Sequence, residues 1–544
     1  MRHTDQRNPE VPKPTTVREA FFEVARRLNL TTIFGNPGTT EETLLKDFPD
    51  DFRYVLALQE ASAVGMADGY AQATGKAVLV ILHTAAGLGN AMGNIESAWY
   101  NHAPLIIVAG NQTREMLLLE PFLANAEPTM VPRPFVKWSY EIARAQDAPA
   151  ALIRAYAMAV QPPAGPVFLS IPMDDADKPC LPVPAIRTVT TRLAASVEQL
   201  APVAAMLDGA TSPVLIIGGT VDEGDGWINA VRLAERLNAP VWAPPEEGRP
   251  GFPETHPLYR GFLPAAIKPL CEKLEGCDLV CVIGAPVFRY HFYVQGDYLP
   301  HGTHPVHVTD NPSEAARVPV GDSILADPGT ACGVLADLVS KATRSMPAPI
   351  TRSPKPEVGA IITADFLYDT INELRPAKSV LVHESRSSLP ALKERLPTSS
   401  PRSCFTNSSG VLGYGLSASA GVAFAERDLK THRKVGNIVG DGAAQYVVQS
   451  IWTAVQHQLP ILYVIPANHE YAILKEFAAW LNAPGVPGLD LAGFDFVSLA
   501  KGYGCKGRRI VCPEDLEPAL REALAMDTPY LLEVEINRSF PSLL

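Results

Sequence analysis

The stretch 436–468 constrains the fold more than any other part of the chain. It begins with the apolar run Gly436-Asn437-Ile438-Val439 and turns at Gly440-Asp441-Gly442. Val447, Val448, Ile451, Trp452 and Val455 then fall at helical spacing. Pro460 breaks that pattern, and 461–465 reads as a second buried strand closing at Pro466-Ala467-Asn468. A strand–helix–strand unit predicts two parallel strands joined by a right-handed crossover. Asp441 and Asn468 then share the carboxyl edge of one sheet, where open α/β folds bind ligands. Two hard oxygens there suit Mg²⁺, which takes one or two protein oxygens beside phosphate oxygens and water. The glycines let backbone amides approach a diphosphate, and the helix start adds its positive dipole end. Gly-Asp-Gly alone reads far more readily as an ordinary tight turn. The helix, the second strand and the terminal Asn argue against that reading.

A chain of 544 residues exceeds one hydrophobic core, and three domains of about 180 residues fit the usual size range. A hydrophobic content of 47% with mean hydropathy near zero describes a soluble globular protein. The net charge of −12 argues against nucleic acid or an anionic membrane as partner. Residues 1–14 are polar and Pro-rich, unlike a secretory signal, and no apolar run approaches a bilayer span. The eight cysteines contain no Cys-x-x-Cys pair. They read as reduced structural thiols in a cytoplasmic protein.

Near the amino terminus, 16–30 has helical spacing and 31–34 reads as a strand. The loop Gly35-Asn36-Pro37-Gly38-Thr39-Thr40-Glu41 follows it. A second strand, 54–58, ends at Gln59-Glu60, and a third, 77–82, ends at His83-Thr84-Ala85-Ala86-Gly87. Thr39, Glu60 and His83 therefore stand at strand ends or in the loops that follow, on one edge of a parallel sheet. Each has a structural alternative: Thr39 as an N-cap, Glu60 as a dipole partner, His83 as a satisfied buried imidazole. Stretches 182–192 and 343–357 read as linkers. Between them, strands are expected at 214–217, 241–243, 279–283 and 306–308. Gly218-Gly219 is no dinucleotide signature, so this middle part reads as scaffold.

Gly440-Asp441-Gly442 with Asn468 twenty-seven positions after the aspartate resembles the fingerprint of thiamine diphosphate enzymes. Gly35-Asn36-Pro37-Gly38, Glu60 and Leu82-His83-Thr84-Ala85-Ala86-Gly87 resemble the pyrimidine-binding domain of their decarboxylase branch. The likeness is strongest to benzoylformate decarboxylases. Segments 48–54, 132–140 and 285–291 extend it, and it covers roughly 16–535. The resemblance implies an α/β fold of three doubly wound parallel-sheet domains. They are a pyrimidine-binding domain, 16–185, a middle scaffold, 195–342, and a diphosphate- and Mg-binding domain, 358–544, after a polar extension, 1–15.

It also implies roles. Glu60 meets the cofactor pyrimidine, Ser387 and its neighbours hold the diphosphate, and the Gly410 carbonyl meets the 4′-amino group. Leu412 is the apolar wedge that bends the cofactor. Gly440, Asp441, Gly442, Ala443, Tyr471 and Leu474 complete the cofactor contacts, with Leu474 and Phe477 as pocket walls. Asp441, Asn468 and the Glu470 backbone carbonyl ligate Mg²⁺. His83 and His291 relay protons, and Thr39 orients the substrate carboxylate. The implied reaction is non-oxidative decarboxylation of a benzoylformate-like 2-keto acid to an aldehyde and carbon dioxide through a thiamine diphosphate enamine.

Several positions depart from the family pattern: Thr39 for serine, Arg386 for a small hydroxyl residue, Thr406 for an aromatic, Ala467 and His469 beside Asn468, and Ile473 for a small residue. They leave the identity of the keto acid open. An aldehyde carboligase or lyase with the same cofactor, a flavin-containing acetolactate synthase-like enzyme, and a catalytically silent binding subunit are the alternatives. A homo-oligomer is implied, a dimer at minimum and a tetramer by expectation, because the cofactor lies between domains of two chains.

Overall fold

The computed structural model describes residues 15–538 apart from 181, 182 and 184. The expected extension 1–15 thus lies outside the described residues except for Thr15, as does part of the first linker. The amino-terminal third contains strands Thr15–Thr16 (β1), Thr32–Asn36 (β2), Arg53–Leu56 (β3), Val78–Leu82 (β4), Leu105–Asn111 (β5), Ser139–Glu141 (β6), Val167–Pro172 (β7) and Pro179–Cys180 (β8). β2 to β7 form a parallel sheet in the order β3-β2-β4-β5-β7-β6. β1 and β8 pair antiparallel beside it.

The middle third contains Pro213–Ile217 (β9), Val241–Ala243 (β10), Tyr259–Phe262 (β11), Leu279–Ile283 (β12), His304–Thr309 (β13) and Asp322–Leu325 (β14). They make a second parallel sheet, β11-β10-β9-β12-β13-β14. β11 and β14 have no counterpart in the sequence reading. Both are edge strands, only partly buried, so neither needs the continuous apolar run that marks a central parallel strand.

The last third contains Val380–Glu384 (β15), Cys404–Phe405 (β16), Val435–Val439 (β17), Ile461–Ala467 (β18), Lys506–Ile510 (β19) and Tyr530–Glu535 (β20). The order is β16-β15-β17-β18-β20-β19, again parallel. Successive crossovers reverse direction between β2 and β4 in the first sheet and between β15 and β17 in the third. Such switch points open a crevice at the carboxyl edge.

The helix expected over 447–455 forms over Ser450–Gln456, and a separate short helix, Asp441–Ala444, precedes it. The adjacent β-branched Val447 and Val448 are poor helix formers. Val447 is buried beside Gly413, where a Cβ on the glycine would lie 3.3 Å from Val447 Cγ1. Tertiary packing takes the turn instead of the helix.

Helix Glu60–Thr74 packs on helix Gly415–Asp428, and both are rich in small residues. Gly421 shows why: a Cβ there would lie 1.8 Å from the Met66 carbonyl oxygen. Side-chain-free contact brings the two backbones together. One apolar cluster therefore runs from Phe34, Val80 and Leu105 of the first sheet to Val382, Val439 and Ile465 of the third. That shared core sets the first and third sheets against each other within one chain.

Candidate active site

A cavity of about 680 Å³ opens at the switch point of the third sheet. β15 delivers Ser387 to its wall, and β17 delivers Gly440, Asp441, Gly442 and Ala443. β18 delivers Asn468, followed by Glu470, Tyr471 and Leu474. Gly410 and Leu412 come from the loop between β16 and helix Gly415–Asp428. The middle part adds His291, from the segment after β12, and Phe477 and Ile473 close the same wall. The His291 ring lies 4.3 Å from Phe292 and 5.4 Å from Phe477, centroid to centroid.

The metal-type corner is tightly tied. Asp441 is buried, and its carboxylate accepts from Gly442 N at 2.8 Å, Asn468 N at 3.2 Å and His469 N at 2.7 Å. Burial pushes its pKa up, and the backbone donors oppose that rise. Asn468 Oδ1 accepts from Glu470 N at 3.2 Å. His469 takes a left-handed φ of 58°, and its Nε2 lies 2.7 Å from Glu535. This aims the backbone of 468–470 at the carboxylate. Among the described residues no three His, Cys, Asp or Glu side chains gather as a metal cluster.

The loop 407–413 is held from below by Glu384, at the end of β15. Its carboxyl group accepts from Gly413 N at 2.8 Å and Gly415 N at 2.6 Å. Burial pushes Glu384 up to about 7. Glu384 has no role in the sequence reading; the signal for it is a carboxylate that ends the buried strand Val380–Glu384. Gly410 has a φ of 80°, and a Cβ there would meet nothing within 4 Å.

Thr39, Glu60 and His83 do not line this cavity. They stand at the switch point of the first sheet, after β2, β3 and β4. Thr39 is exposed and Glu60 half-buried. Glu60 opens helix Glu60–Thr74 and accepts from Asn90 Nδ2 at 3.1 Å. His83 lies against Gly38, where a Cβ would fall 2.1 Å from its Nδ1.

The sequence reading missed the residue that organises this cluster, Glu41. It is 1% exposed. Its Oε1 accepts from Thr40 Oγ1 at 2.7 Å and Gly110 N at 2.6 Å. Its Oε2 accepts from Gly38 N at 2.8 Å and lies 2.9 Å from His83 Nδ1. An ionised carboxylate only accepts, so Nδ1 carries the proton and Nε2 is left free. No local pattern marks this role, because Gly110 is brought in by β5.

The departures resolve differently. Ile473 lines the main cavity, whereas Thr406 lines a separate cavity of about 50 Å³ between the middle and last sheets. Arg386 turns to Glu246, at 2.5 Å, and donates to Asn407 O and Oδ1 at 3.1 and 3.0 Å. Its charge is thus matched by a carboxylate from the loop after β10.

Comparison with known proteins matches three family descriptions along the chain. Residues 15–127 match "Thiamine pyrophosphate enzyme, N-terminal TPP binding domain", 200–335 the central domain and 390–534 the C-terminal TPP binding domain. The chain is 43% identical over 523 residues to a benzoylformate decarboxylase of Pseudomonas aeruginosa, covering 95% of this chain and 98% of that one. The solved benzoylformate decarboxylase of Polynucleobacter necessarius is 42% identical with a TM-score of 0.94, over 97% of this chain and 99% of that one. A thiamine diphosphate-dependent 4-hydroxybenzoylformate decarboxylase of Rhodococcus jostii is 40% identical with a TM-score of 0.93, over 96% and 99%. Three matched domains in this order, a relative this similar over nearly its whole length, and three six-stranded parallel sheets make one conclusion: the chain belongs to the thiamine diphosphate-dependent decarboxylase family.

Proposed function

We propose that this enzyme removes carbon dioxide from a benzoylformate-like 2-keto acid, using thiamine diphosphate held by Mg²⁺. The observation that carries the reading is the cavity at the third sheet's switch point, which gathers a diphosphate-type glycine loop, a carboxylate and an amide oxygen. Its volume lies in the range of small-molecule and cofactor sites. The donor set fits Mg²⁺: two side-chain oxygens, Asp441 and Asn468, with the Glu470 carbonyl, leave positions for phosphate oxygens and water. Gly442 fits a closely approached backbone, since a Cβ there would strike the Tyr471 ring at 2.4 Å. Ser387, Gly440 and Ala443 would hold the diphosphate, and Leu412, Tyr471 and Leu474 the rings.

Thiamine diphosphate supplies, when bound, a carbanion for attack on a keto carbon and an electron sink for decarboxylation. The chain's part is orientation and proton movement. Glu60 holds a proton at the pyrimidine nitrogen, and the Gly410 carbonyl accepts from the amino group. Thr39 holds the substrate carboxylate. His83, with Nε2 free, and His291 carry protons to and from the reacting carbon and oxygen, a role suited to imidazole near neutral pH. The apolar wall of Leu474, Ile473 and Phe477 excludes water and favours loss of a charged carboxylate as neutral carbon dioxide.

Glu60, His83 and Thr39 reach this cavity from a second copy of the chain. The exposed apolar side chains Leu118 at 93%, Leu119 at 76% and Phe122 at 87% support an assembly, because monomers rarely leave such a patch uncovered. We take the oligomer as a dimer at minimum and a tetramer in full, in the cytoplasm, with domain limits at 16–185, 195–342 and 358–544. No helix among the described residues is long and apolar enough to cross a membrane. The flavin-containing and carboligase alternatives are not favoured: a relative described as a putative acetolactate synthase large subunit, of Mycobacterium tuberculosis, is 28% identical to this chain, against 43% for the benzoylformate decarboxylase.

The test is Glu60→Gln, assayed by carbon dioxide release from a 2-keto acid panel with thiamine diphosphate and Mg²⁺ present. Turnover is expected to collapse while cofactor binding by calorimetry persists. Unchanged turnover with the fold preserved sinks the reading.

A further inference from the structure

We propose that Arg289 is a positioning residue: it holds the segment carrying His291 in register with the loop 407–413. The inference rests on the proton-relay reading of His291 given above. Arg289 stands two positions before His291 in the segment after β12. Its guanidinium carbon lies 4.3 Å from the ring centroid of Tyr100, at the end of helix Thr84–Tyr100. Its Nη1 donates to the Ser408 carbonyl. One side chain of the middle part therefore touches the first and last parts of the chain at once.

Both contacts are of the strong kind. Burial lowers the Arg289 pKa, yet a guanidinium keeps its charge in proteins. The bond to Ser408 is thus charge-assisted, and cation–π contact gains when desolvated. The receiving loop is itself braced. Ser408 N donates to Asn101 Oδ1 at 3.0 Å, and Ser409 Oγ lies 2.9 Å from Ser97 Oγ.

His291 is held far more loosely. Among the described residues its ring has no polar partner. Its backbone N–H donates to Ala265 O at 2.8 Å, and its ring lies against the Phe292 and Phe477 rings. Apolar contact is non-directional, so the ring's place follows from where its segment is pinned. Ala265 pins the segment at the His291 and Phe292 amides, and Arg289, two residues earlier, pins it to the loop that would lie under the cofactor. A displacement of about 1 Å at a reacting group is enough to lose turnover.

The experiment is a double-mutant cycle of Arg289→Met and His291→Ala in the full-length enzyme, reading kcat on benzoylformate at saturating thiamine diphosphate and Mg²⁺. Arg289→Met is expected to lower kcat roughly tenfold or more, and by no more than the about 10²–10⁴-fold that a placed acid–base group supplies. The double variant is expected to match His291→Ala alone, and both single variants are expected to lose the same limb of the kcat–pH profile. Arg289→Lys, which keeps charge but not the planar fork, is expected to fall between, and carries the same cycle if the methionine variant fails to fold. If the two losses multiply, or Arg289→Met keeps kcat within twofold, the positioning role is overturned while the relay reading stands. If His291→Ala itself keeps kcat, the relay reading fails and this proposal falls with it.

Discussion

Glu41→Gln is expected to lower turnover by about 10- to 150-fold without disturbing secondary structure. The carboxylate takes four donors, two on each oxygen. Glutamine keeps the shape but replaces one acceptor with an NH₂ group. If the NH₂ takes the Oε2 place, it faces Gly38 N–H and His83 Nδ1. The imidazole must then shift its proton to Nε2, which ends that nitrogen's ability to accept one from the reacting site. If it takes the Oε1 place, Gly110 N–H loses its partner while the Thr40 hydroxyl turns round, and His83 is left with a neutral acceptor. Either way one amide is orphaned, the half-buried Gly38 N–H or the buried Gly110 N–H, at up to about 1–3 kcal/mol of stability. The charge-assisted bond to His83 is worth about 1.5–3 kcal/mol, which at 1.36 kcal/mol per decade becomes the expected rate loss. The assay pairs kcat for carbon dioxide release with denaturant unfolding. Turnover within twofold of the parent, in a variant destabilised as expected, refutes the claim that Glu41 sets the His83 tautomer.

Other outcomes follow from the same geometry. Burial raises Glu384 from 4.5 to about 7. The folded chain therefore keeps a proton that the unfolded chain sheds, and stability present below about pH 4.5 is lost as pH rises through 7. The difference is about 3 kcal/mol, so wild-type stability is expected to fall that much more than that of Glu384→Gln between those limits in denaturant unfolding. Parallel pH profiles would remove Glu384 as the cause. Gly421→Ala places a methyl group against the Met66 carbonyl and is expected to destabilise by about 1–3 kcal/mol, the range for overpacking. A thermal unfolding curve matching the parent's contradicts the backbone contact between those helices.

Much of the site was readable in order along the chain. The apolar runs ending in Gly440-Asp441-Gly442 and Asn468 placed both oxygens on one sheet edge, and β17 and β18 pair in parallel as that reading required. The ends of β2 and β4 were legible in the same way. The edge strands β11 and β14 were not, because half-exposed strands lack a clear period. The helix expected over 447–455 starts only at Ser450, because Val447 is claimed by packing under Gly413, which outweighs a local helical pattern. Thr406, a departure from the family pattern, lies away from the main cavity because its neighbour Gly248, whose carbonyl accepts from Thr406 N at 2.7 Å, comes from the loop after β10.

Periodicity and turn residues are properties of a few adjacent positions, and they suffice to state which residues end parallel strands. The sequence by itself therefore determined three α/β units and the chemical types at their carboxyl edges. Which partner each of those groups meets was decided only by the tertiary structure. Glu41 binds an amide 69 positions away, and Arg289 reaches a carbonyl 119 positions away. Such meetings depend on how whole sheets pack through shared apolar surface, and that surface is too uniform in sequence to encode which polar group will face which.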